Sequence, residues 1–582
     1  MKRTHTCGEL REDDCGKEVC LQGWVNNTRN LGGLVFVDIR DRYGVTQVIV
    51  NPDNSDFDVA NDLRKEDVVE VRGVVEKKDK PNAVLATGTI EVKVSKFAVI
   101  NKSAILPMAV EDETNATDDT RLKYRFLDLR RPIMQSRIAL RSKAMFAARQ
   151  FLNSKQFLEI QTPVLVRATP EGARDYIVPS RVNPSKFYAL PQSPQLYKQI
   201  LMVSGFDRYF QFPICCRDED LRADRQPEHT QIDLEMTFPS LDDLFETGEG
   251  IMKSIFKETL NYELETPFLK IPYYESMGKY GIDKPDIRFD LFLYDLSDVF
   301  KESGFDLFKK IVAGNGIVKC INPEKEFSRK EVEALEAIAK RHGAKGLAAL
   351  KVVEGSLDGG FAKFLSDDEK KAIVEKTGAK NGSTLFFVAD KWTVVNDALS
   401  RLRNHLGAEL NLYDPKTFKF CWITDFPLFE WNEDSDKWDA CHHLFCQPKE
   451  ECIELLDSDP GKVLCTQYDM VLNGVELASG SLRITDPDLQ KKIMKTIGLT
   501  EDEAENKFGF LLEAFRYGAP PHGGMGIGFD RVVALACGLT DIREVIAFPK
   551  NKNAHCPMDG SPADVGDDQL KELHIASTFK GD

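Results

Sequence analysis

A short charged segment, residues 217–235, carries residue types that could grip a polyphosphate. Three arginines alternate there with carboxylates, and Gln226 follows them. The planar guanidinium group of arginine can donate two parallel hydrogen bonds to phosphate oxygens. Carboxylates can hold a guanidinium group, or a metal ion, in place. Residues 230–236 then alternate between polar and apolar types, as a half-buried strand would. The other interpretation of this charge run is a solvated hairpin tip.

A second candidate segment is rich in glycine. Residues 523–528 contain four glycines, and Arg531 stands at the start of the helical run 532–538. Glycine lets a backbone approach a ligand closely, and the positive end of a helix favours anions. The segment therefore predicts an anion contact at Arg531, although a glycine-rich turn with a surface arginine has the same pattern.

Two carboxylates in the segment 468–483, Asp469 and Glu476, are candidate ligands for Mg²⁺. Magnesium is usually held by one or two carboxylates together with substrate phosphates. The sequence contains no G-x-x-x-x-G-K-[ST] loop and no G-x-G-x-x-G after a strand, so the common nucleotide-binding motifs are absent.

The segment Cys441–Cys446 holds two cysteines and two histidines, and zinc is the alternative to consider there. Structural zinc sites usually need paired ligands from two places in the chain, and no Cys-x-x-Cys pair occurs. We therefore expect no zinc. Two further segments offer a carboxylate for an amine, at Glu171, and a lysine for an anion, at Lys198.

The elements that would position these residues differ along the chain. Residues 1–102 contain five short strand patterns with turn residues between them and one helical stretch, as in a small closed barrel of the oligonucleotide-binding (OB) type. Phe36, Asp38 and Gln47 fall on those strands, where they could take up unstacked bases. Each of them could equally have a packing role.

Composition limits the class of protein. A chain of 582 residues with 42% hydrophobic and 29% charged residues should hold several soluble domains. No apolar run is long enough to span a membrane, and no export signal is evident. Thirteen cysteines without a repeated spacing favour reduced thiols, so we expect a cytoplasmic protein.

The net charge of −16 argues against indiscriminate nucleic-acid binding. Residues 121–149, however, contain nine Lys or Arg residues and one acid, Asp128. This basic stretch could contact a phosphate backbone, because charges beyond about 8–10 Å are screened and patches act separately. The alternative, left open by the sequence, is a helix face paired with acids from elsewhere.

These pieces, in this order, resemble the class II aminoacyl-tRNA synthetases, and within them the bacterial-type aspartyl enzymes. Residues 157–163 are similar to the first family motif, which contributes to a homodimer interface, 217–235 to the second and 526–531 to the third. The resemblance covers nearly the whole chain. It implies an α+β multidomain protein with the following parts: an OB-fold anticodon-binding barrel at 1–102, a linker at 103–131, a catalytic core of antiparallel sheet flanked by helices at 132–283 and 415–550, an inserted α/β domain of the GAD type at 284–414, and a C-terminal extension at 551–582.

The resemblance also implies roles for individual residues. Arg217, Arg531 and Glu476 would act in catalysis, and Asp469 would hold Mg²⁺ with Glu476. For ATP it implies Arg217, Asp218, Glu219, Gln226, His229, Glu476, Gly528, Phe529, Asp530 and Arg531. For L-aspartate it implies Glu171, Gln195, Lys198, Arg217, Asp233, Arg483 and a histidine at His442 or His443. For the anticodon it implies Arg29, Phe36, Gln47 and Glu91.

The implied activity is aspartate–tRNA ligation, with tRNA(Asp) as the nucleic-acid partner. Lys198 and Arg483 would face the side-chain carboxylate, which asparagine lacks. Leu31 stands where members that also charge tRNA(Asn) often carry histidine, which favours a tRNA(Asp)-specific enzyme. An enzyme that charges both tRNAs is the alternative, and a catalytically inactive tRNA-binding protein built on the same core is another.

Overall fold

The computed structural model describes residues 2–169 and 173–578. The chain folds into two compact units. The first comprises residues up to Ala139 together with Ile546–Ala563, and the second comprises Leu140–Val545 and the residues from Asp564 onward. The first unit holds the N-terminal strands, and the second holds the remaining sheets.

The N-terminal strands close into the predicted barrel, with strand order β1-β2-β3-β5-β4. Its strands are β1 (Glu18–Leu31), β2 (Leu34–Asp41), β3 (Gly44–Val50), β4 (Val68–Lys77) and β5 (Ile90–Asn101), and a short helix, α1 (Phe57–Asn61), precedes β4. Strand alternation places Val35, Val37 and Ile39 in the core and leaves Phe36 and Asp38 on the outer face. The OB-fold prediction is confirmed.

Two short helices, α2 (Asp118–Lys123) and α3 (Arg125–Asp128), follow the barrel, and a long helix, α4 (Pro132–Ser154), begins soon after them. They carry most of the basic stretch. At least six of its nine cations form ion pairs: Arg121, Arg125 and Arg131 with Asp128, Arg130 with Glu66, Arg141 with Asp530, and Arg149 with Glu159. The arginines outweigh burial and hold the pKa of Asp128 below its usual value. The stretch is therefore mainly a paired helix face, which was one of the two interpretations that the sequence left open.

The first part of the core sheet and its helices lie in the second unit. The elements are β6 (Leu158–Glu159), β7 (Ile177–Pro179), β8 (Phe187–Ala189), α5 (Gln195–Val203), β9 (Arg208–Gln211), β10 (Ile214–Cys216), β11 (Glu228–Thr237), α6 (Leu241–Leu260), β12 (Leu269–Pro272) and α7 (Tyr273–Tyr280). Helix α6 begins where Ser240 and Asp243 form a capping box and ends at Asn261, which has the left-handed conformation.

The chain then forms a separate five-stranded sheet of strand order β13-β14-β17-β15-β16, in which all pairs are antiparallel. Its elements are β13 (Leu293–Asp295), α8 (Ser297–Phe300), α9 (Asp306–Ala313), β14 (Ile317–Ile321), α10 (Arg329–Arg341), β15 (Ala348–Val353), β16 (Ser356–Asp358), α11 (Asp367–Thr377), β17 (Thr384–Asp390) and α12 (Trp392–Glu409). This sheet falls inside the predicted insertion at 284–414.

The rest of the core follows. Its elements are β18 (Phe420–Thr424), β19 (Phe429–Asn432), β20 (Lys437–Ala440), β21 (Tyr468–Leu472), β22 (Val475–Leu482), α13 (Pro487–Thr496), α14 (Glu501–Phe515), β23 (His522–Gly528) and α15 (Phe529–Ala536), and α16 (Asp567–Glu572) lies near the C-terminus. Short 3-10 turns occur at Glu12–Asp14, Ala362–Phe364, Glu450–Leu456, Pro460–Lys462 and Ile542–Glu544.

The core sheet has nine strands, in the order β12-β18-β21-β22-β23-β11-β9-β6, with β10 paired to β11. Its centre is antiparallel, as predicted, but the pairs β12–β18 and β6–β9 at the two edges are parallel. The sheet is therefore mixed. Across the described ranges, no helix combines the length and apolar character needed to cross a membrane.

Candidate active site

Three adjacent strands of the core sheet, β11, β22 and β23, form the floor of a cavity of about 730 Å³. Strand β11 alternates, so that Gln231, Asp233 and Glu235 project from one face. On β23, glycines stand opposite all three of these residues. A Cβ atom on Gly524 would lie 2.1 Å from Glu235 Oε2, so this glycine makes room for a side chain of β11 rather than for a ligand.

Four charged side chains form a fully buried cluster at one end of this floor. Lys198 Nζ on α5 lies 2.8 Å from Asp233 Oδ2 and 3.4 Å from Glu235 Oε2. Arg483 donates from Nε to Glu235 Oε1 (2.8 Å) and from Nη2 to Glu235 Oε2 (3.1 Å). Each of the four side chains is at most 2% exposed. The two cations predicted to face a substrate carboxylate thus already contact carboxylates of the chain.

The two acids of this cluster differ in pKa. Burial opposes the ionisation of both. For Asp233 burial prevails over Lys198 and raises the pKa to about 6. For Glu235 the attraction of Arg483 and Lys198 prevails over burial and lowers the pKa to about 2. Near neutral pH both are ionised.

Glu235 was not assigned a role from the sequence, although it lies within the charged segment. The signal was available, because the alternation of β11 places it on the same face as Asp233. Its partner, Arg483, comes from the loop after β22, and the two are 248 residues apart in sequence. Arg483 Nη1 also contacts Ser481 Oγ at 2.7 Å and His443 Nε2 at 2.9 Å.

Both candidate histidines line the cavity. His443 contacts Arg483, whereas the ring of His442 stands edge-on to Phe426 with a centroid distance of 4.7 Å. Cys446 Sγ lies 3.5 Å from His443 Nε2 and 3.0 Å from Gln467 Oε1. Glu171, a predicted aspartate contact, lies outside the described residues.

Three buried polar atoms around this cavity lack a hydrogen-bond partner among the described residues: Gln195 Nε2, Arg217 Nε and Asp233 Oδ1. Two are donors and one is an acceptor. Unsatisfied buried groups carry a desolvation cost of about 1–3 kcal/mol each, and in a native protein such groups call for a specific explanation, such as strain, a catalytic role or a bound species. A ligand with both an anionic and a cationic group would satisfy all three.

The other end of the cavity is rich in residues predicted to bind ATP. Arg217, Glu219, Gln226, His229, Glu476, Gly528, Asp530 and Arg531 all line it. Burial, with help from the positive charges of Arg217 and Arg531, lowers the pKa of His229 to about 4, so its imidazole is neutral at physiological pH. Arg531, in the first turn of α15, donates from Nη1 to the backbone carbonyl of Glu476 (3.1 Å).

Two residues in the predicted ATP set do not line the cavity. Phe529 is fully buried and packs edge-on against Phe212, with a centroid distance of 5.6 Å. Asp218 lies 3.7 Å from Arg174 Nε. Asp530 does line the cavity, but its Oδ2 accepts the Thr230 backbone N–H at 2.8 Å and so joins α15 to β11.

The two predicted magnesium ligands lie on neighbouring strands, Asp469 on β21 and Glu476 on β22. Burial and the nearby carboxylate of Glu476 raise the pKa of Asp469 well above its usual value. Asp469 Oδ1 accepts a hydrogen bond from Gln467 Nε2 at 3.0 Å. Two carboxylates that repel each other fit a divalent cation whose remaining ligands come from phosphates and water. Within residues 2–169 and 173–578, no group of three or more His, Cys, Asp or Glu side chains is arranged to hold a metal.

On the barrel, the predicted anticodon residues lie together on the outer face. Arg29 Nη2 contacts Asp38 Oδ2 at 3.2 Å and Gln47 Oε1 at 3.3 Å. Gln47 Nε2 in turn donates to Glu91 Oε2 at 2.8 Å. Phe36 pairs with Arg29 across the β1–β2 ladder. The barrel therefore presents an aromatic ring beside a connected row of hydrogen-bonding groups.

Comparison with known proteins agrees with this geometry. Residues 117–552 match the model of "tRNA synthetases class II (D, K and N)", and residues 19–100 match that of the "OB-fold nucleic acid binding domain". An aspartate–tRNA(Asp/Asn) ligase of Treponema denticola is 52% identical over 99% of both chains. An aspartate–tRNA ligase of Ruminiclostridium cellulolyticum is 50% identical over 99% of this chain and 98% of its own.

The fold is similar to that of solved synthetases. An asparaginyl-tRNA synthetase from Pyrococcus horikoshii, complexed with asparaginyl-adenylate, superposes with a TM-score of 0.59 at 21% identity, covering 94% of this chain and 98% of its own. Sequence and fold therefore match one family over most of the chain. The chain belongs to the class II tRNA synthetases of the D, K and N group.

Proposed function

We propose that this protein is an aspartate–tRNA ligase. It would activate L-aspartate with ATP to aspartyl-adenylate and pyrophosphate, then transfer the aspartyl group to the 3′-terminal ribose of tRNA. The observation that carries this proposal is the set of three unsatisfied buried atoms on Gln195, Arg217 and Asp233, which surround one end of the cavity. They match the charged groups of an amino acid.

The substrate ammonium would pair with Asp233 Oδ1, the available acceptor beside the oxygen that Lys198 already contacts. The α-carboxylate would meet Arg217, whose Nε is an available donor. Gln195 Nε2 would complete the contact with the substrate from the first turn of α5. Each contact gives a partner to a buried polar atom that otherwise has none and therefore carries a desolvation cost.

Charge balance favours aspartate over asparagine. Three cations are available at this end of the cavity: Lys198, Arg483 and Arg217. Two carboxylates, Asp233 and Glu235, leave one positive charge unmatched. Aspartate carries one net negative charge and neutralises these groups, whereas neutral asparagine leaves the positive charge of the partly buried Arg217 unmatched. In a fully desolvated site an unmatched charge costs about 3–5 kcal/mol, a few hundredfold or more in affinity, and this is the upper bound here.

The ATP end of the cavity supports adenylate formation without a protein nucleophile. The substrate carboxylate would attack the α-phosphorus in line, and pyrophosphate would leave. Arg217 would neutralise the charge that grows between the two substrates, and Arg531 would hold the terminal phosphate. Glu219 and Gln226 would hold the nucleotide, and the neutral ring of His229 suits stacking on adenine.

Asp469 and Glu476 would hold Mg²⁺, since they supply the pair of oxygen ligands that this ion takes beside phosphates. When bound, the ion supplies positive charge to the phosphate oxygens. The two carboxylates come from the paired strands β21 and β22. Burial and, after it, repulsion by Glu476 raise the pKa of Asp469, and this repulsion supports the assignment.

The barrel would bind the anticodon through Arg29, Phe36, Gln47 and Glu91. Leu31, 61% exposed beside the β1–β2 turn, favours tRNA(Asp) as the sole substrate. The similar Treponema denticola protein, named for both tRNAs, favours the alternative of a ligase that also charges tRNA(Asn). Aminoacylation of purified tRNA(Asp) and tRNA(Asn) transcripts separates the two: product on tRNA(Asp) alone supports specificity.

We further propose a cytoplasmic homodimer. Large apolar side chains are exposed around the first motif, namely Phe146, Leu158, Val164 and Leu165, at 51–65%. Exposed apolar groups clustered in this way commonly mark a protein interface. The thirteen cysteines, all within the described ranges, form no disulfide, which fits a reducing compartment. Sedimentation equilibrium would give the mass of a dimer, and a single-chain mass would contradict the proposal.

Aspartate-dependent exchange of labelled pyrophosphate into ATP tests the central activity. We expect exchange with L-aspartate and at least a hundredfold less with L-asparagine or L-lysine, because neither of these balances the charge of the site. Absence of exchange with correctly folded protein that still binds tRNA would instead support the inactive tRNA-binding alternative.

A further inference from the structure

The guanidinium of Arg531 contacts a carboxylate of the chain itself. Its Nη2 lies 3.3 Å from Asp224 Oδ2, and both side chains line the cavity. Asp224 belongs to the loop 217–227, which lies between β10 and β11. The pair is partly solvated, with 27% of the Arg531 side chain and 48% of the Asp224 side chain exposed.

The same relation recurs at two other groups proposed to bind ATP or its metal. Arg225, the neighbour of Asp224, pairs with Glu219. Lys284 Nζ lies 3.7 Å from Glu476 Oε2. Three charged groups of the nucleotide site are thus each opposed by a side chain of the other sign.

Backbone contacts hold Asp224 in this position. The Arg225 N–H donates to the Arg222 carbonyl at 3.1 Å and closes a tight turn in the loop. The Ile542 N–H donates to the carbonyl of Ala223, also at 3.1 Å. Ile542 follows α15, the helix that carries Arg531, so this bond joins the loop, at the residue before Asp224, to the segment that follows that helix.

We infer that Asp224 takes the place of the terminal phosphate of ATP on Arg531 and thereby sets the affinity for ATP. The inference rests on the proposed function, which assigns the terminal phosphate to Arg531. A carboxylate and a phosphate present similar oxygen pairs to a guanidinium fork. Two anions so close together repel each other, so ATP must displace Asp224 from Arg531.

Asp224→Asn tests this inference, because it keeps the shape of the side chain and removes the competing charge. ATP binding is measured by isothermal titration calorimetry on the full chain without aspartate. Partly exposed ion pairs contribute little, so we expect the Kd for ATP to fall about two- to fivefold. The Kd for AMP, which has no terminal phosphate, should remain unchanged.

Asp220→Asn is the matched control. Asp220 is exposed on the same loop and forms no ion pair within the part of the chain that the structure describes. Asp220→Asn removes one negative charge from the same loop but does not affect a partner of Arg531. We therefore expect it to change the Kd for ATP by less than Asp224→Asn does.

Unchanged or weaker ATP binding by Asp224→Asn would overturn the inference. An equal gain for AMP, or an equal gain with Asp220→Asn, would overturn it as well, since either would indicate a general effect of loop charge. The proposed function fails separately: wild-type protein without aspartate-dependent pyrophosphate exchange contradicts the ligase assignment, whatever the calorimetry gives.

Discussion

Arg483 and Glu235 form a bidentate ion pair in which both side chains are at most 1% exposed. This pair joins the loop after β22 to the middle of the core sheet. Because it is desolvated, its loss would have consequences for stability as well as for substrate binding. Unfolding and exchange measurements on different variants separate those two effects.

Glu235→Gln should destabilise the protein strongly, because it leaves Arg483 buried without a charge partner. The expected loss is about 3–5 kcal/mol, measured by urea unfolding. Glu333→Gln is the control, since Glu333 pairs with Arg329 on the surface of α10, where their side chains are 61% and 93% exposed. That change should cost at most about 1 kcal/mol. Equal effects of the two substitutions would contradict the prediction.

Lys198→Ala or Arg483→Ala should cripple aspartate activation. Each removes a cation from the end of the cavity that balances the substrate charge, and we expect kcat/KM for aspartate to fall at least a few hundredfold. The KM for ATP should change little, since neither residue contacts the ATP end. Near-normal exchange with aspartate in either folded variant would contradict the substrate assignment.

The pH dependence of activation should report Asp233. Its pKa of about 6 means that the carboxylate is ionised above and protonated below that pH. Lys198, Glu235, Arg483 and the Tyr209 hydroxyl act on it, and Glu235 stays ionised because its pKa is about 2. Only the ionised form pairs with the substrate ammonium.

We therefore expect kcat/KM for aspartate to fall roughly tenfold per pH unit below about pH 6, in exchange assays at saturating ATP. His229, whose pKa is about 4, remains neutral over this range and should not contribute. A profile that is flat down to pH 5 would show that another group receives the ammonium.

Gly524→Ala should disrupt the buried cluster although it adds only a methyl group. The new Cβ would meet Glu235 Oε2 and the Leu234 carbonyl oxygen, both at 2.1 Å. We expect a loss of about 1–3 kcal/mol in unfolding free energy and a large fall in aspartate affinity. Gly528→Ala is the stability control, because its Cβ meets no atom nearer than 3.5 Å and it should unfold like the wild type.

Phe36→Ala should weaken tRNA binding without affecting adenylate formation. Stacking of a base on an aromatic ring contributes about 1–3 kcal/mol, so the Kd for tRNA should rise roughly five- to 150-fold. Tyr43→Ala removes an exposed aromatic ring from the β2–β3 turn and serves as the control. A fall in aspartate-dependent pyrophosphate exchange in Phe36→Ala would contradict the proposal that the barrel binds tRNA and takes no part in adenylate formation.

Several features of the molecule could be predicted from local patterns. The barrel follows from alternation and turn residues in 1–102, because each strand carries its own period of two. The residue types of Arg217, Glu219 and Arg531 predict contacts with a polyphosphate, and the family resemblance identifies that polyphosphate as ATP. The aspartate contacts of Lys198 and Arg483 are implied by the resemblance and by no local pattern.

Tertiary structure decided which charges meet. Arg483 and Glu235 are 248 residues apart in sequence and come into contact because β11, β23 and β22 are neighbours in one sheet. No local sequence pattern encodes that strand order. The same applies to Asp224 and Arg531, which are 307 residues apart in sequence. The amino-acid sequence by itself determined the chemical groups of the site. The long-range strand register determined their pairing, and therefore the net charge that a substrate encounters.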